Sequence, residues 1–394
     1  RALYSLGVEG AAVFSRLPED VPLLPYPRYP YGRARNLILD RAGREVLHRA
    51  DTVLWSVGLD MQDDSSLAKL AYLWLTFRLY RRQGLKIWCL FQGAGPLTTR
   101  LGRWLARGAL SAVDIFVARD PGTERLVDSL SKNPRVLLGH DAIFLPGFEQ
   151  DLQTPVAGAD PFGWLKKSAG PLIGLNVRQW FHFTASLLPY EFARRGYLER
   201  SREKMKDLTG AMAWVVQQLR QRVDARVILL SAYQPGSVPW EDDLPWLAQI
   251  KQHFAADGQV TLLDAPISMP DYYRLMGRLD LMIGMRLHSS LVALRFGTPA
   301  LNISYTLKGG DIYRHLGLAE SVIQLSQAIQ TPERVVEMAE GLLADLPAQR
   351  ERVDRQVAQA IEVNRALLSE LLENGGRFSS GGGFAAGGSG GWRG

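Results

Sequence analysis

Residues 279–304 read LDLMIGMRLHSSLVALRFGTPALNIS, and the order of residue types along this stretch decides the fold. LDLMI (279–283) is a short apolar run of strand length. Residues 288–297 carry apolar side chains at helical spacing, and PALNIS (299–304) opens a second strand-like run. A strand, a short helix and a strand predict one βαβ unit whose two parallel strands are neighbours. The unit holds an anomaly. Arg286 and His288 stand where the first strand turns into the helix, a place that a buried strand usually fills with small or apolar residues. A cation beside a titratable ring is equipment suited to an anion.

Outward from this unit the same alternation recurs. Strand-like runs fall at 52–57, 86–91, 113–117, 135–138, 171–177, 226–231 and 259–263, with helical patterns at 66–83, 99–110, 122–131 and 203–222. Short apolar strands separated by helices predict parallel sheets covered on both faces, an α/β fold. The expected organisation is two α/β domains, 1–150 and 171–331, joined by a Gly-, Pro- and Ala-rich linker at 151–170. Helices are expected over 332–374, packing back on the body. Residues 375–394, rich in glycine, are expected to be disordered and dispensable.

Composition narrows the function classes. The chain has 394 residues, 46% hydrophobic and 22% charged, with a net charge of +6. The single cysteine, Cys89, excludes an intrachain disulfide, suits a reducing compartment and reads as a core residue in LKIWCLF. No apolar run has the length of a membrane span and no signal peptide is seen. Arg1 opens a domain already under way, so a truncated start is expected. The basic excess gathers at 78–86, 99–108 and 194–206. No zinc spacing and no nucleic-acid motif accompany it, so phosphates or an anionic lipid surface are expected partners rather than nucleic acid. The expected location is cytoplasmic, with peripheral contact at the inner face of a membrane; Trp88 and Trp104 lie near the arginine clusters. Solvated helix faces explain the same charges equally well.

In open parallel sheets ligands bind beyond the carboxyl ends of the strands. Polar residues collect there: Gln92 and Gly93 after 86–91, Arg119 after 113–117, Arg178 after 171–177, Arg286 and His288 after 279–283, and Lys308 after 299–304. The N-terminus of the helix at 288–297 adds unpaired N–H groups and partial positive charge. Each residue alone has an ordinary reading, such as a solvated lysine or a salt-bridging arginine. Their convergence favours an anion site with a titratable group inside it.

These stretches resemble the polysaccharide pyruvyl transferases, the CsaB-like enzymes. The likeness runs in family order through ADTVLWSVGLDMQD (50–63), LFQGAGPL (90–97), VARDPGTERLV (117–127), IGLNVRQW (173–180) and IGMRLHSSLVALRFGTPALNISYTLKGGDIYRHLGL (283–318), the last being the most specific. Of the family's triple glycine after the first strand, only Gly58 of SVGL remains. The resemblance implies a GT-B-like arrangement, two Rossmann-like domains with the active site in the cleft between them. It implies transfer of the pyruvyl group of phosphoenolpyruvate to a sugar of a cell-surface polysaccharide or its lipid-linked precursor, as a ketal. Under that reading Arg178, Arg286 and Lys308 balance the donor's charges, Arg119, Gln92 and Gly93 line the donor side, and Leu287 offers its backbone. His288, the one histidine of the cationic cluster, is the expected acid–base group. No metal or cofactor is expected, phosphoenolpyruvate being a donor substrate. Two alternatives stay open: a GT-B glycosyltransferase using a nucleotide sugar, and a non-catalytic relative.

Overall fold

The computed structural model describes residues 5–7, 23–25, 50–56, 61–63, 67–147, 162, 170–180, 195–232, 242–265 and 267–373. Most of the expected linker and the whole of 375–394 lie outside them. Two short strands, β1 (Ser5–Gly7) and β2 (Leu23–Pro25), pair in parallel apart from the main sheets.

The first main sheet is parallel, in the order β3 (Thr52–Trp55), β4 (Lys86–Gln92), β5 (Ile115–Ala118), β6 (Arg135–Leu138). Its connections are α1 (Leu67–Arg82), α2 (Arg100–Leu110) and α3 (Pro121–Leu130). Side chains alternate across β4. Ile87 and Cys89 enter the core beneath α1 and α2, while Trp88 and Leu90 enter a second core on the other face. Trp88 is 6% exposed, so it does not belong to a membrane-facing surface with Trp104.

Helix starts follow capping chemistry. Asp120 accepts from the Thr123 amide at 2.7 Å with Pro121 next in line, and Thr99 accepts from Gly102 at 2.9 Å. Buried Asp63 fixes the entry to α2 by accepting from both the amides and the hydroxyls of Thr98 and Thr99, at 2.7–3.1 Å. Such caps are each worth about 1 kcal/mol.

The second sheet has six parallel strands, in the order β12-β11-β10-β7-β8-β9. Along the chain these are β7 (Leu172–Asn176), β8 (Arg226–Leu230), β9 (Val260–Leu263), β10 (Leu281–Gly284), β11 (Ala300–Ser304) and β12 (Val322–Gln324). Between them run α4 (Arg195–Val223), α5 (Leu244–Gln252), α6 (Met269–Arg278), α7 (Leu287–Arg295) and α8 (Leu307–His315). The predicted βαβ unit is β10–α7–β11, with the two strands neighbours as expected. Residues of β7, β10 and β11 are buried throughout, the mark of strands covered on both faces. Each buried Leu, Ile or Met there contributes about 1.5–3 kcal/mol.

After β12 come α9 (Leu325–Gln330), α10 (Pro332–Ala344) and α11 (Leu346–Glu373). The last helix spans the two bodies. Val353, Val357 and Ala360 pack with the second sheet's helices, while Leu371 packs with Trp88, Phe91 and Val117 of the first. Among the described residues no helix is long and apolar enough to cross a membrane.

Candidate active site

The register of the second sheet brings Asn176, Gly284 and Asn302 into one row at the carboxyl ends of β7, β10 and β11. That row builds the turn carrying Arg286 and His288. Asn176 accepts from the Arg286 amide at 3.1 Å and donates to Ser289 at 2.6 Å, and Tyr272 donates to the same serine at 3.0 Å. Asn302 donates to the Gly284 carbonyl at 2.9 Å. Gly284 has to be glycine for packing: a Cβ there would collide with Ser290 Oγ. These buried bonds leave no slack in the turn.

His288 points out of this turn towards the carboxyl edge of the first sheet. Its Nε2 lies 3.9 Å from Asp141 Oδ2, and 66% of its side-chain surface is open. That distance is too long for a hydrogen bond and within ion-pair range. Asp141 is itself buried, follows β6, accepts from Arg119 at 2.9 Å and takes the Ile143 amide at 3.1 Å. Burial alone would raise the Asp141 carboxyl; Arg119, the His288 ring and those hydrogen bonds outweigh it and hold the pKa low. For His288 loss of hydration is the leading cause and lowers the pKa. Asp141 works against it, while Arg119, Arg178 and Arg286 add to it. The ring's openness to solvent softens all of these effects.

Arg178 lies beside the same ring. It donates to the Tyr305 hydroxyl at 2.5 Å, and its guanidinium carbon sits 5.2 Å from the Tyr305 ring centre and 5.7 Å from that of Trp180. Arg286 is buried and bonds Asp243 at two points, Nε to Oδ2 at 2.6 Å and Nη2 to Oδ1 at 2.8 Å. Burial pushes the Asp243 carboxyl up in spite of Arg286.

The structure thus brings Arg119, Arg178, Arg286 and His288 together. Leu287 opens α7 between the last two. Gln92 and Gly93 are buried, and Gln92 turns inward: its side-chain amide donates to the Trp55 carbonyl at 3.2 Å, and its main-chain carbonyl accepts from the Arg119 main-chain amide at 3.1 Å. It supports Arg119 from behind. Lys308 lies in the first turn of α8 rather than in a loop, with its ammonium buried. Gly309 packs against Asn302 and Ser304, which explains that glycine without a ligand. Among the described residues no group of three or more His, Cys, Asp or Glu is placed to hold a metal.

Sequence reasoning missed Asp141 and Asp243. Asp141 stands just past the carboxyl end of β6, so the strand-end rule applied to that strand would have found it. Asp243 carries no local signal; only the folded chain places it against Arg286.

A sequence profile described as polysaccharide pyruvyl transferase matches residues 11–306. The chain belongs to that family. The pyruvyl transferase match includes every one of the grouped site residues and stops two short of Lys308. The chain is also similar to the amylovoran biosynthesis protein AmsJ of Erwinia amylovora, 32% identical over 97 residues, 25% of this chain. The match spans only 22% of that curated relative's length. Among solved structures it is similar to UDP-GlcNAc 2-epimerase of Neisseria meningitidis bound to UDP-GlcNAc, with TM-score 0.53, 11% identity and 90% and 86% of the two chains covered. It is likewise similar to the UDP-forming trehalose-phosphate synthase of Burkholderia vietnamiensis, with TM-score 0.54, 14% identity and coverage of 88% and 77%. At these identities the likeness concerns the fold: two parallel-sheet α/β domains, as the strand–helix alternation predicts, of the GT-B type that the family resemblance implies.

Proposed function

We propose that this pyruvyl transferase family member moves the pyruvyl group of phosphoenolpyruvate onto a sugar of a cell-surface polysaccharide or its lipid-linked precursor. The balance is closed. A proton adds to the methylene carbon, two sugar hydroxyls bond to C2 and lose their protons, and the C2–O bond to phosphate breaks. The products are a ketal and hydrogen phosphate. The observation that carries the reading is His288, open to solvent, 3.9 Å from Asp141 and under the electrostatic influence of three arginines.

In this reading the arginines neutralise the donor; Arg178, half-buried, is the best placed of them to touch it, while Arg119, buried against Asp141, adds positive potential. Arg286, committed to Asp243, fixes the turn and adds positive potential. His288 holds the proton. Without donor its pKa is depressed; a bound phosphate dianion raises it, so donor binding charges the acid that the next step uses. Asp141 stabilises the imidazolium. Acid–base and electrostatic work by these side chains covers the reaction as written, with no metal or cofactor step. The reaction is assigned to the cytoplasmic side of a membrane, where an activated donor and a lipid-carried acceptor could meet.

The test is incubation of the purified chain with phosphoenolpyruvate and a panel of lipid- or nitrophenyl-linked sugars, following phosphate release and mass gain on the sugar. Calorimetry with phosphoenolpyruvate and UDP accompanies it. Binding of UDP without binding of phosphoenolpyruvate would replace this reading with a nucleotide-sugar transferase.

A further inference from the structure

We infer that the outer face of α1 and α2 is a docking surface for an anionic lipid bilayer. The charge is one-sided: between Asp64 and Asp114 the chain carries eight Lys or Arg and no Asp or Glu. Apolar groups stand open on the same two helices, which pack side by side. Trp104 is 56% exposed, Leu75 54% and Leu101 44%. Helical spacing puts Trp74, Leu75 and Arg78 on one stripe of α1, and Arg100, Arg103, Trp104 and Arg107 on one stripe of α2.

The two stripes meet at a pair of indoles. Trp74 and Trp104 touch edge to face, with ring centres 5.1 Å apart. Gly108 makes room for the pair, since a Cβ there would sit 2.6 Å from Trp74 Nε1. The Arg78 guanidinium carbon lies 5.4 Å from the Trp74 ring centre. The result is a ridge of indole and leucine flanked by guanidinium groups.

This arrangement matches a lipid headgroup layer better than a protein partner. Indoles settle at the level of the headgroups, arginines pair with the phosphates, and exposed leucines reach the acyl boundary. A protein interface keeps charge to its rim and is poor in lysine and acid at its core; here guanidinium groups stand among the exposed apolar ones, the two helices carry no Asp or Glu, and Asp114 at the end of the stretch pairs with Arg81. Its position is also useful. α2 begins directly after the 92–97 loop at the carboxyl edge of the first sheet, so the docked face ends beside the candidate active site. The surface stands independently of the donor assignment, because membrane binding and turnover are read separately.

The experiment is flotation of the full chain with vesicles of phosphatidylcholine alone or mixed with phosphatidylglycerol, at low and high salt. The expected result is recovery with the anionic vesicles, little with the neutral ones, and loss as salt rises. Trp104→Ser and Arg103→Glu should each cut recovery several-fold while leaving the melting temperature unchanged. Equal recovery of both variants and the native chain would overturn the proposal. So would no recovery with anionic vesicles. Binding to a soluble polyanion that matches vesicle binding and ignores Trp104→Ser would assign the face to a charged polymer instead.

Discussion

Arg286 meets Asp243 at two points, 2.6 and 2.8 Å, with the carboxylate side chain shut off from solvent. The geometry ties donor-side charge to the stability of the second domain. An ammonium cannot make both contacts, so Arg286→Lys should lower stability by about 1–3 kcal/mol. Arg286→Met strands the carboxylate and should cost about 3–5 kcal/mol. Urea midpoints check both. If Arg286 also reaches the donor, phosphoenolpyruvate affinity of the folded lysine variant falls about tenfold or more. Unchanged affinity would leave Arg286 a brace for the turn.

His288→Gln should keep the fold, because the ring is largely open. Turnover should fall by roughly two to four orders of magnitude while most donor affinity survives. The native pH profile should show a limb below 6.5 in kcat/KM, set by the lowered pKa of the ring, and that limb should move upward in kcat once the donor is bound. In the variant the limb should vanish. Native turnover with an unchanged profile would remove His288 from the mechanism.

Asp141→Asn separates positioning from structure. The change removes the group that raises the His288 pKa and takes the carboxylate from Arg119, whose side chain is buried. The His288 titration, followed by its ring proton resonances, should move further to acid. Stability should fall by about 3–5 kcal/mol, the cost of breaking a buried pair. Asp141→Glu, if it restores the resonance position, shows that the charge is what acts on the ring.

A stacked pair of histidines predicts acid sensitivity. The rings of His140 and His315 lie 4.1 Å apart and 15° from parallel, and His315 contacts the Gly139 carbonyl at 3.1 Å. Burial foremost, then the His315 ring, takes the His140 pKa down to about 3 in spite of Asp141. Burial also lowers His315, with the Gly139 carbonyl and Asp120 opposing. The unfolded chain takes up a proton at each ring near 6.5, whereas the folded chain holds out. Stability should therefore fall as pH drops from about 6.5 towards 3, by about 1.4 kcal/mol per unit for each histidine that stays neutral. His140→Phe should flatten the dependence of the urea midpoint on pH between 7 and 4.5. An equal slope in the variant would show that other groups carry the effect.

The strand–helix alternation was legible because parallel strands buried on both faces are written as short apolar runs. Arg286 and His288 were legible together because a polar group at a buried strand end has few structural uses. What escaped was pairing over long distances in the chain. Asp243 meets Arg286 across 43 residues, and Asp141 meets His288 from the other sheet. Gln92 shows another limit: it has the address of a ligand group, and in the fold its side-chain amide donates to the Trp55 carbonyl. Position on a strand end can be read from sequence; the direction of a side chain there is decided by what packs behind it.

The long helix α11 has a consequence for synthesis. Leu371 covers a core face built from Trp88, Phe91 and Val117, residues made much earlier. At about 5–20 residues per second, the interval between Val117 and Leu371 leaving the ribosome is on the order of ten to fifty seconds. Throughout it the outer face of β4 and β5 lacks its cover, so the first sheet emerges first and is completed last. A nascent chain in that interval shows an apolar surface that the finished protein hides, and it is there that a chaperone has something to hold.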